Sequence, residues 1–420
     1  MKIAIIQFPG SNAESESFRA VKQAGMDAEE FLWNRDYHDL MNFDGYFIVG
    51  GFSYEDRSRS GIIASLDPLM VRLKPEAEKG KPILGVCNGA QILVETGLVP
   101  GLKNYALGMA LAENWRLKNG IVVGTGFYNT WINIKQSVQS ESSAFTRHLK
   151  NGEFMHVPVA HGEGRFIIPE ELLAEMIDNH QTVFRYCDEA GNISAEFPIN
   201  PNGAEYNLAA VTNPAGNVMA IMPHPERTDN GQPIFTSMRE YIQEKIAINV
   251  DKKIEFTPPP LNIQTKEKDF SILELPVELL ITDNEAATVQ NALKNLGINV
   301  VIKRYVHWEI KFPESTNLEI VKKQILDSGE LFNKNKERLV ADLDQNTGST
   351  LLLVRYQDDS IGEYKKETLE KLGVHGIEYM TKGILWQITS VHDNINSAVD
   401  KILATHILFN PFSQECFKYE

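Results

Sequence analysis

Three short apolar runs fall within the first ninety residues: KIAIIQF (2–8), DGYFIVGG (44–51) and KPILGVC (81–87). The first is followed by SNAESESFRAVKQAG (11–25), which has the polar start and terminal glycine of a helix. SLDPLMVRLKPEAEKG (65–80) carries a second helical pattern. Buried strands that alternate with helices predict a doubly wound, mostly parallel α/β sheet. Reactive residues of such sheets gather at the carboxyl ends of the strands. ALAENWRLKNGIVVG (110–124), NTWINIKQS (129–137) and FMHVPVAHGEGRF (154–166) suggest a further β region. TVFRYC (182–187), NLAAVTN (207–213) and VMAIMPH (218–224) complete the sheet, and a helix in 233–247 closes it.

A chain of 420 residues is too long for one ordinary core, so two or three domains are expected. A formal net charge of -15 argues against a nucleic-acid partner, because phosphate binding needs clustered Lys and Arg. The first apolar run stops at Pro9 and Gly10, which is short for a secretory signal. No run approaches the ~18 apolar residues of a membrane span. Cys87, Cys187 and Cys416 form a sparse, odd set without metal-ligand spacing. A cytoplasmic protein with free thiols and no metal site is the simplest expectation.

Around 251–272 the chain turns charged and aperiodic, with three consecutive prolines, which predicts an extended linker. Beyond it the sequence repeats itself. ALKNLGINVVIKRYVHWEI (292–310) is similar to TLEKLGVHGIEYMTKGILWQI (368–388). Leu296–Gly297 and Leu372–Gly373 are 76 residues apart, and Trp308 and Trp386 are 78 apart. Each copy has an apolar strand before the similar stretch and a helical pattern after it. Duplication of a small α+β unit explains this better than chance. The expected boundaries are 1–250 for the first domain, 251–272 for the linker, and 273–345 and 346–420 for the two repeats.

The chemistry concentrates in the first domain. Cys87 stands between Gly85 and Gly89 where a strand turns into a helix, the cysteine form of a nucleophile elbow. The N-terminus of the following helix favours a thiolate. On this stretch alone, a buried structural cysteine remains an alternative. A nucleophile needs a base, and His224 follows a strand in VMAIMPHPERT, with Glu226 two residues on to orient its ring. Gly50 and Gly51 end the second apolar run, where bare backbone N–H groups can approach an oxyanion. The amides of Gly51 and Asn88 form the natural pair, and Gln91 lies one turn further along the helix.

With these residues in place the chain resembles the class I, triad-type glutamine amidotransferases, a flavodoxin-like family. Within them it is similar to the PurQ-type glutaminase subunit of phosphoribosylformylglycinamidine synthase, of de novo purine biosynthesis. The matching pieces run in order: IIQFPGSN (5–12), GGFSYEDRSRSG (50–61), GVCNGAQIL (85–93), PVAHGEGRF (158–166), NPNG (200–203) and MPHPERT (222–228). GGFSYGD is usual in that family, and Glu55 stands here in place of its glycine. The resemblance covers residues 1 to about 245. It implies that Cys87, His224 and Glu226 hydrolyse glutamine to glutamate and ammonia. It implies a supporting role near the pocket or an interface for His161, Glu163 and Arg227, since His161 and Glu163 alone are too few for a metal.

The duplicated region resembles the small PurS-type subunit of the same synthase, present twice as a covalent pseudo-dimer. A generic regulatory or oligomerisation domain is the alternative. Together these resemblances imply a partner: an ATP-dependent, PurL-type synthetase subunit that turns formylglycinamide ribotide into its amidine with the delivered ammonia. No G-x-x-x-x-G-K-[ST] loop occurs in the chain, so ATP and Mg2+ are expected on that partner and no cofactor here. Another cysteine hydrolase, or a non-catalytic scaffold with a degenerate site, remain the other two classes.

Overall fold

The computed structural model describes residues 1–244, 254–266, 269, 271–341, 343, 348–390 and 394–419. The chain forms two compact units, Met1–Pro259 and Pro260–Glu420.

The first unit is built on a nine-stranded sheet. Its order is Asp27–Leu32, Lys2–Gln7, Gly45–Ile48, Ile83–Val86, Val218–Ile221, Leu208–Thr212, Phe184–Cys187, Tyr128–Gln136 and Phe154–His161. The first five strands are parallel. The remaining four join by antiparallel pairing. The expectation of a mostly parallel sheet is therefore corrected to a mixed one. Parallel neighbours need crossover connections, usually helices, and after the helix Asn88–Glu95 only one helix, Glu170–Asp178, falls between the remaining strands of this sheet. Those strands follow one another largely through turns and loops, which suit antiparallel pairing.

Residues of Gly45–Ile48 are all buried, as expected of a strand covered on both faces. Phe47 meets Phe235 of the helix Gln232–Glu244, with ring centroids 5.7 Å apart. Its neighbour Ile48 packs instead on Gly89 of the helix Asn88–Glu95. Successive strand residues point to opposite faces, so these two helices cover opposite sides of the sheet. One continuous core results, running through both layers.

The second unit has a seven-stranded sheet: Gln264–Lys266, Gln414–Tyr419, Ser349–Tyr356, Tyr379–Ser390, Val300–Lys311, Ile272–Leu279 and Glu337–Leu339. Without the first strand, this order reads the same from either end once each strand is replaced by its repeat equivalent. The first helix of each copy shows the same local solution. Asp283 caps Asn284–Asn295 by accepting from the Ala286 amide at 3.0 Å. Asp359 caps Ser360–Lys371 through the Gly362 amide at 2.9 Å.

The repeated Leu–Gly pair ends both helices. Gly297 and Gly373 take left-handed φ values of 79° and 91°. The next amides then reach back five residues, Ile298 to Leu293 O at 2.9 Å and Val374 to Leu369 O at 3.0 Å. This is the closing bond of a Schellman cap, and it needs a residue free of a Cβ penalty at the glycine.

Of the linker expected over 251–272, residues 251–253, 267, 268 and 270 lie outside the described residues. Residues 257–263 have no regular secondary structure, while the segments on either side of them are packed. Ile254 is buried and Phe256 packs on the core of the first unit, where the Glu255 amide donates to Glu175. Gln264–Lys266 adds a parallel strand to the edge of the second unit. There the Lys266 ammonium meets Glu274 at 2.8 Å and Glu309 at 2.9 Å.

Candidate active site

Cys87 is the single residue between the strand Ile83–Val86 and the helix Asn88–Glu95. Its φ of 53° and ψ of -108° are unusual for a residue with a Cβ. Two glycines make the turn feasible. A Cβ on Gly85 would lie 2.5 Å from Gly89 O, and one on Gly89 would lie 2.1 Å from Ile48 O. The helix therefore packs directly on the strands, and the turn holds Cys87 at the sheet's carboxyl edge. Its amide donates to Ile221 O at 2.8 Å, and its Sγ lies 3.8 Å from Ala160 O.

His224 arrives from the next strand over. Val218–Ile221 runs parallel to Ile83–Val86 with Ile221 opposite Val86, so the two chain ends emerge side by side. The His224 amide is held by Pro158 O at 2.8 Å. Its Nδ1 sits 2.6 Å from Glu226 Oε1, and both side chains are at most 1% exposed. With Nδ1 taken by Glu226, Nε2 is the ring nitrogen left for the Cys87 side chain. Burial opposes charge on this ring, but the Glu226 carboxylate and the nearby Cys87 outweigh it and push the imidazole up to about 10. Arg227, half-buried, lies 3.8 Å from Glu226 Oε1.

Gly50 backs onto both groups. A Cβ there would meet His224 Cε1 at 3.1 Å and Cys87 Cβ at 3.5 Å. Gly51 is clamped by the loop 9–12: Asn12 N–H donates to Gly50 O and Phe52 N–H to Gly10 O. A Cβ on Gly51 would lie 2.6 Å from Gly10 O. The N–H groups of Gly51 and Asn88 engage no acceptor among the described residues. Gln91 and the Asn88 side chain serve as struts. Asn88 donates to Gln91 Oε1 at 2.8 Å and accepts from the Ser53 amide at 3.0 Å, and Gln91 donates to Glu163 O at 2.7 Å.

Two features go beyond the sequence reading. Asp56 lies close to Glu163, one of the residues that reading singled out, and Ser60 hydrogen-bonds to both. Burial and the Glu163 charge push Asp56 up to about 7, against the Ser60 hydrogen bond. Burial also raises Glu163, with Ser60 and Arg59 opposing it. Glu163 is marked in sequence by its place in PVAHGEGRF, whereas Asp56 shows only as part of the acidic pair inside SYEDRS. The second feature is Asn114, fully buried, which receives His161 Nδ1 at 3.2 Å. Nothing in its sequence neighbourhood marked it. Among the described residues, no group of three or more His, Cys, Asp or Glu is arranged to hold a metal. None of the described helices is long and apolar enough to cross a membrane.

A cysteine elbow facing a His–Glu pair over an α/β sheet has the parts needed for acyl transfer through a covalent intermediate. Residues 1–246 match the family model of the CobB/CobQ-like glutamine amidotransferase domain. The chain is 44% identical over 262 residues to the phosphoribosylformylglycinamidine synthase subunit PurQ of Methanothrix thermoacetophila, covering 58% of this chain and 99% of that one. It is 40% identical over 228 residues to the PurQ subunit of Aquifex aeolicus, covering 54% and 91%. A chain in the solved structure of PurLQS from Thermotoga maritima is 29% identical, with a TM-score of 0.45, covering 57% and 98%. The chain belongs to the glutamine amidotransferase family and, over its N-terminal 58%, to the PurQ subunits within it.

Proposed function

We propose that this chain is the glutaminase component of phosphoribosylformylglycinamidine synthase, with Cys87, His224 and Glu226 as its triad. Cys87 Sγ, its thiol proton held by His224, attacks the side-chain carboxamide carbon of glutamine. The carbonyl electrons move to oxygen, where the N–H groups of Gly51 and Asn88 receive them. Each such donor contributes roughly 3–4 kcal/mol to transition-state stabilisation. The oxyanion collapses, the C–N bond breaks, and the His224 imidazolium gives its proton to the leaving nitrogen. Ammonia departs and a thioester remains. His224, now neutral, takes a proton from water, which attacks the thioester and releases glutamate. Glu226 holds the ring and its charge throughout. Gly50 leaves room for both groups, while Gln91, Glu163 and Arg227 support the pocket.

The observation that carries this reading is the convergence of Cys87 and His224 on Gly50 from adjacent parallel strands. The direct test is a glutamine-analogue electrophile, which should form one adduct, mapped to Cys87. An adduct elsewhere, or none, would remove the triad.

The ammonia goes, on this reading, to a separate PurL-type synthetase that carries ATP and Mg2+. Residues 273–345 and 346–420 act as PurS-like repeats that bridge the glutaminase to it in the cytoplasm. Their support is the reciprocal pairing of the central strands: Arg304 opposes Trp386, and Trp308 opposes Lys382. Shifted by the 78 residues that separate the two tryptophans, the first pair becomes the second. An isologous dimer interface has that property, and here it lies within one chain. Deleting residues 260–420 should abolish co-elution with the synthetase; unchanged co-elution would refute the bridge.

A further inference from the structure

His161 is 3% exposed and close enough to His224 to interact with its charge. It ends the strand Phe154–His161 and follows Ala160, whose carbonyl lies against Cys87 Sγ. Its tautomer can be read from Asn114. The Asn114 amide NH2 donates to His161 O at 2.6 Å and to Gly126 O at 3.1 Å, so its Oδ1 faces the other way. That oxygen accepts from the Gly164 amide at 2.9 Å and lies 3.2 Å from His161 Nδ1. Nδ1 therefore carries the proton and donates, leaving Nε2 as a bare acceptor. The ring is fixed against Gly164, where any Cβ would fall 2.2 Å from His161 Cε1. Nε2 has no hydrogen-bond partner among the described residues.

A buried lone pair without a donor is costly, and such groups in native structures call for an explanation. The triad described above uses neither ring nitrogen of His161. A substrate carboxamide brings two N–H groups: the Ala160 carbonyl, 3.8 Å from Cys87 Sγ, can accept one, and the triad offers no acceptor for the other. The oxyanion donors address the amide oxygen, and His224 addresses the nitrogen only as a proton donor. We propose that His161 Nε2 accepts a hydrogen bond from the amide nitrogen of glutamine and keeps it as that nitrogen leaves as ammonia.

The inference rests on the glutaminase reading. The proton balance is unchanged: the third proton of ammonia comes from His224, and His161 neither gains nor loses one. Burial and the neighbouring His224 charge push His161 down to about 3, so it stays neutral while His224 is charged. A neutral acceptor can hold ammonia without protonating it, which leaves the product a nucleophile.

The test compares two substrates of the full-length chain: glutamine, whose leaving group has N–H donors, and the γ-methyl ester of glutamate, whose leaving group has none. His161→Ala should lower kcat for glutamine by about 10–100-fold. Ester turnover should fall by at most about 3-fold. His161→Gln, which restores an acceptor, should recover part of the glutamine rate. Labelling of Cys87 by the electrophile reports whether the site is folded; if His161→Ala fails to label, the comparison passes to His161→Gln and Asn114→Ala. Equal losses on both substrates would overturn the inference and leave His161 a packing residue. A wild-type chain that turns over neither substrate, alone or with the synthetase, overturns the glutaminase reading and this inference with it.

Discussion

Val306 pairs with Ile384 at the centre of the second unit's sheet, and the two residues hold the same place in their repeats. A two-fold relation between the copies passes through this pair. Trp308 and Trp386 flank it, both at most 4% exposed. Equivalent positions predict equivalent energetics. Trp308→Ala and Trp386→Ala should each destabilise the second unit by about 3–5 kcal/mol. In denaturant titrations of the full chain both should move the same transition and leave that of the first unit in place. A difference above about 2 kcal/mol between them would count against equivalent packing.

Glu55 stands where the resemblance leads one to expect glycine, and the backbone explains the preference. Tyr54, Glu55 and Asp56 follow one another at φ 52°, 58° and 53°. A left-handed residue with a Cβ costs about 1–2 kcal/mol. Glycine removes that cost but gives up roughly 0.5–1 kcal/mol of backbone entropy. Glu55→Gly should therefore stabilise the first unit by about 0.5–1 kcal/mol. The Glu55–Arg57 ion pair that it removes is exposed and worth little. A thermal melt that moves down would contradict this account of the loop.

On the proposed mechanism, variants at Cys87 and Glu226 separate the nucleophile from its orienting partner. Cys87→Ala should lower glutamine hydrolysis by at least about 10⁴-fold while leaving ammonium-dependent synthesis by the reconstituted complex intact. Glu226→Gln retains the shape of the pair but removes the charge that keeps the His224 ring protonated. Its expected loss is about 10²–10⁴-fold in kcat, with KM little changed. Rates of thioester formation and hydrolysis, read by rapid quench, check both; a Glu226→Gln enzyme with near-normal kcat would leave His224 without need of its partner.

Local signals carried much of this structure. Glycines around Cys87, the strand before His224 and the Leu–Gly caps were all visible, because each is a short-range steric demand. The antiparallel half of the sheet was visible as β but not in its direction, since pairing depends on partners far along the chain. Asn114 and the closeness of Asp56 to Glu163 were hidden for the same reason. Asn114 reaches His161 across 47 residues. The last residues of the linker look unstructured by composition, yet Lys266 becomes ordered through two carboxylates, Glu274 and Glu309. A lysine in a charged stretch gives no hint of such partners.

Asp56 makes the stability of the first unit depend on pH. In the folded chain its carboxyl group titrates at about 7, raised by burial and the Glu163 charge, and in the unfolded chain near the ordinary value of about 4. Between these values the folded state holds a proton that the unfolded state has released. The contribution of Asp56 to stability is then largest below pH ~4, falls as pH rises to ~7, and levels off above. One such group gives a slope of at most about 1.4 kcal/mol per pH unit, less where solvent reaches the carboxylate. Asp56→Asn retains an amide oxygen for the Asn88 Nδ2 contact at 3.2 Å. Asparagine also tolerates the left-handed backbone at this position. The variant should gain on the wild type as pH rises through this window, most at pH 7. Denaturant midpoints at pH 4, 5.5 and 7 measure it; parallel curves for the two proteins would mean that Asp56 ionises normally in the fold.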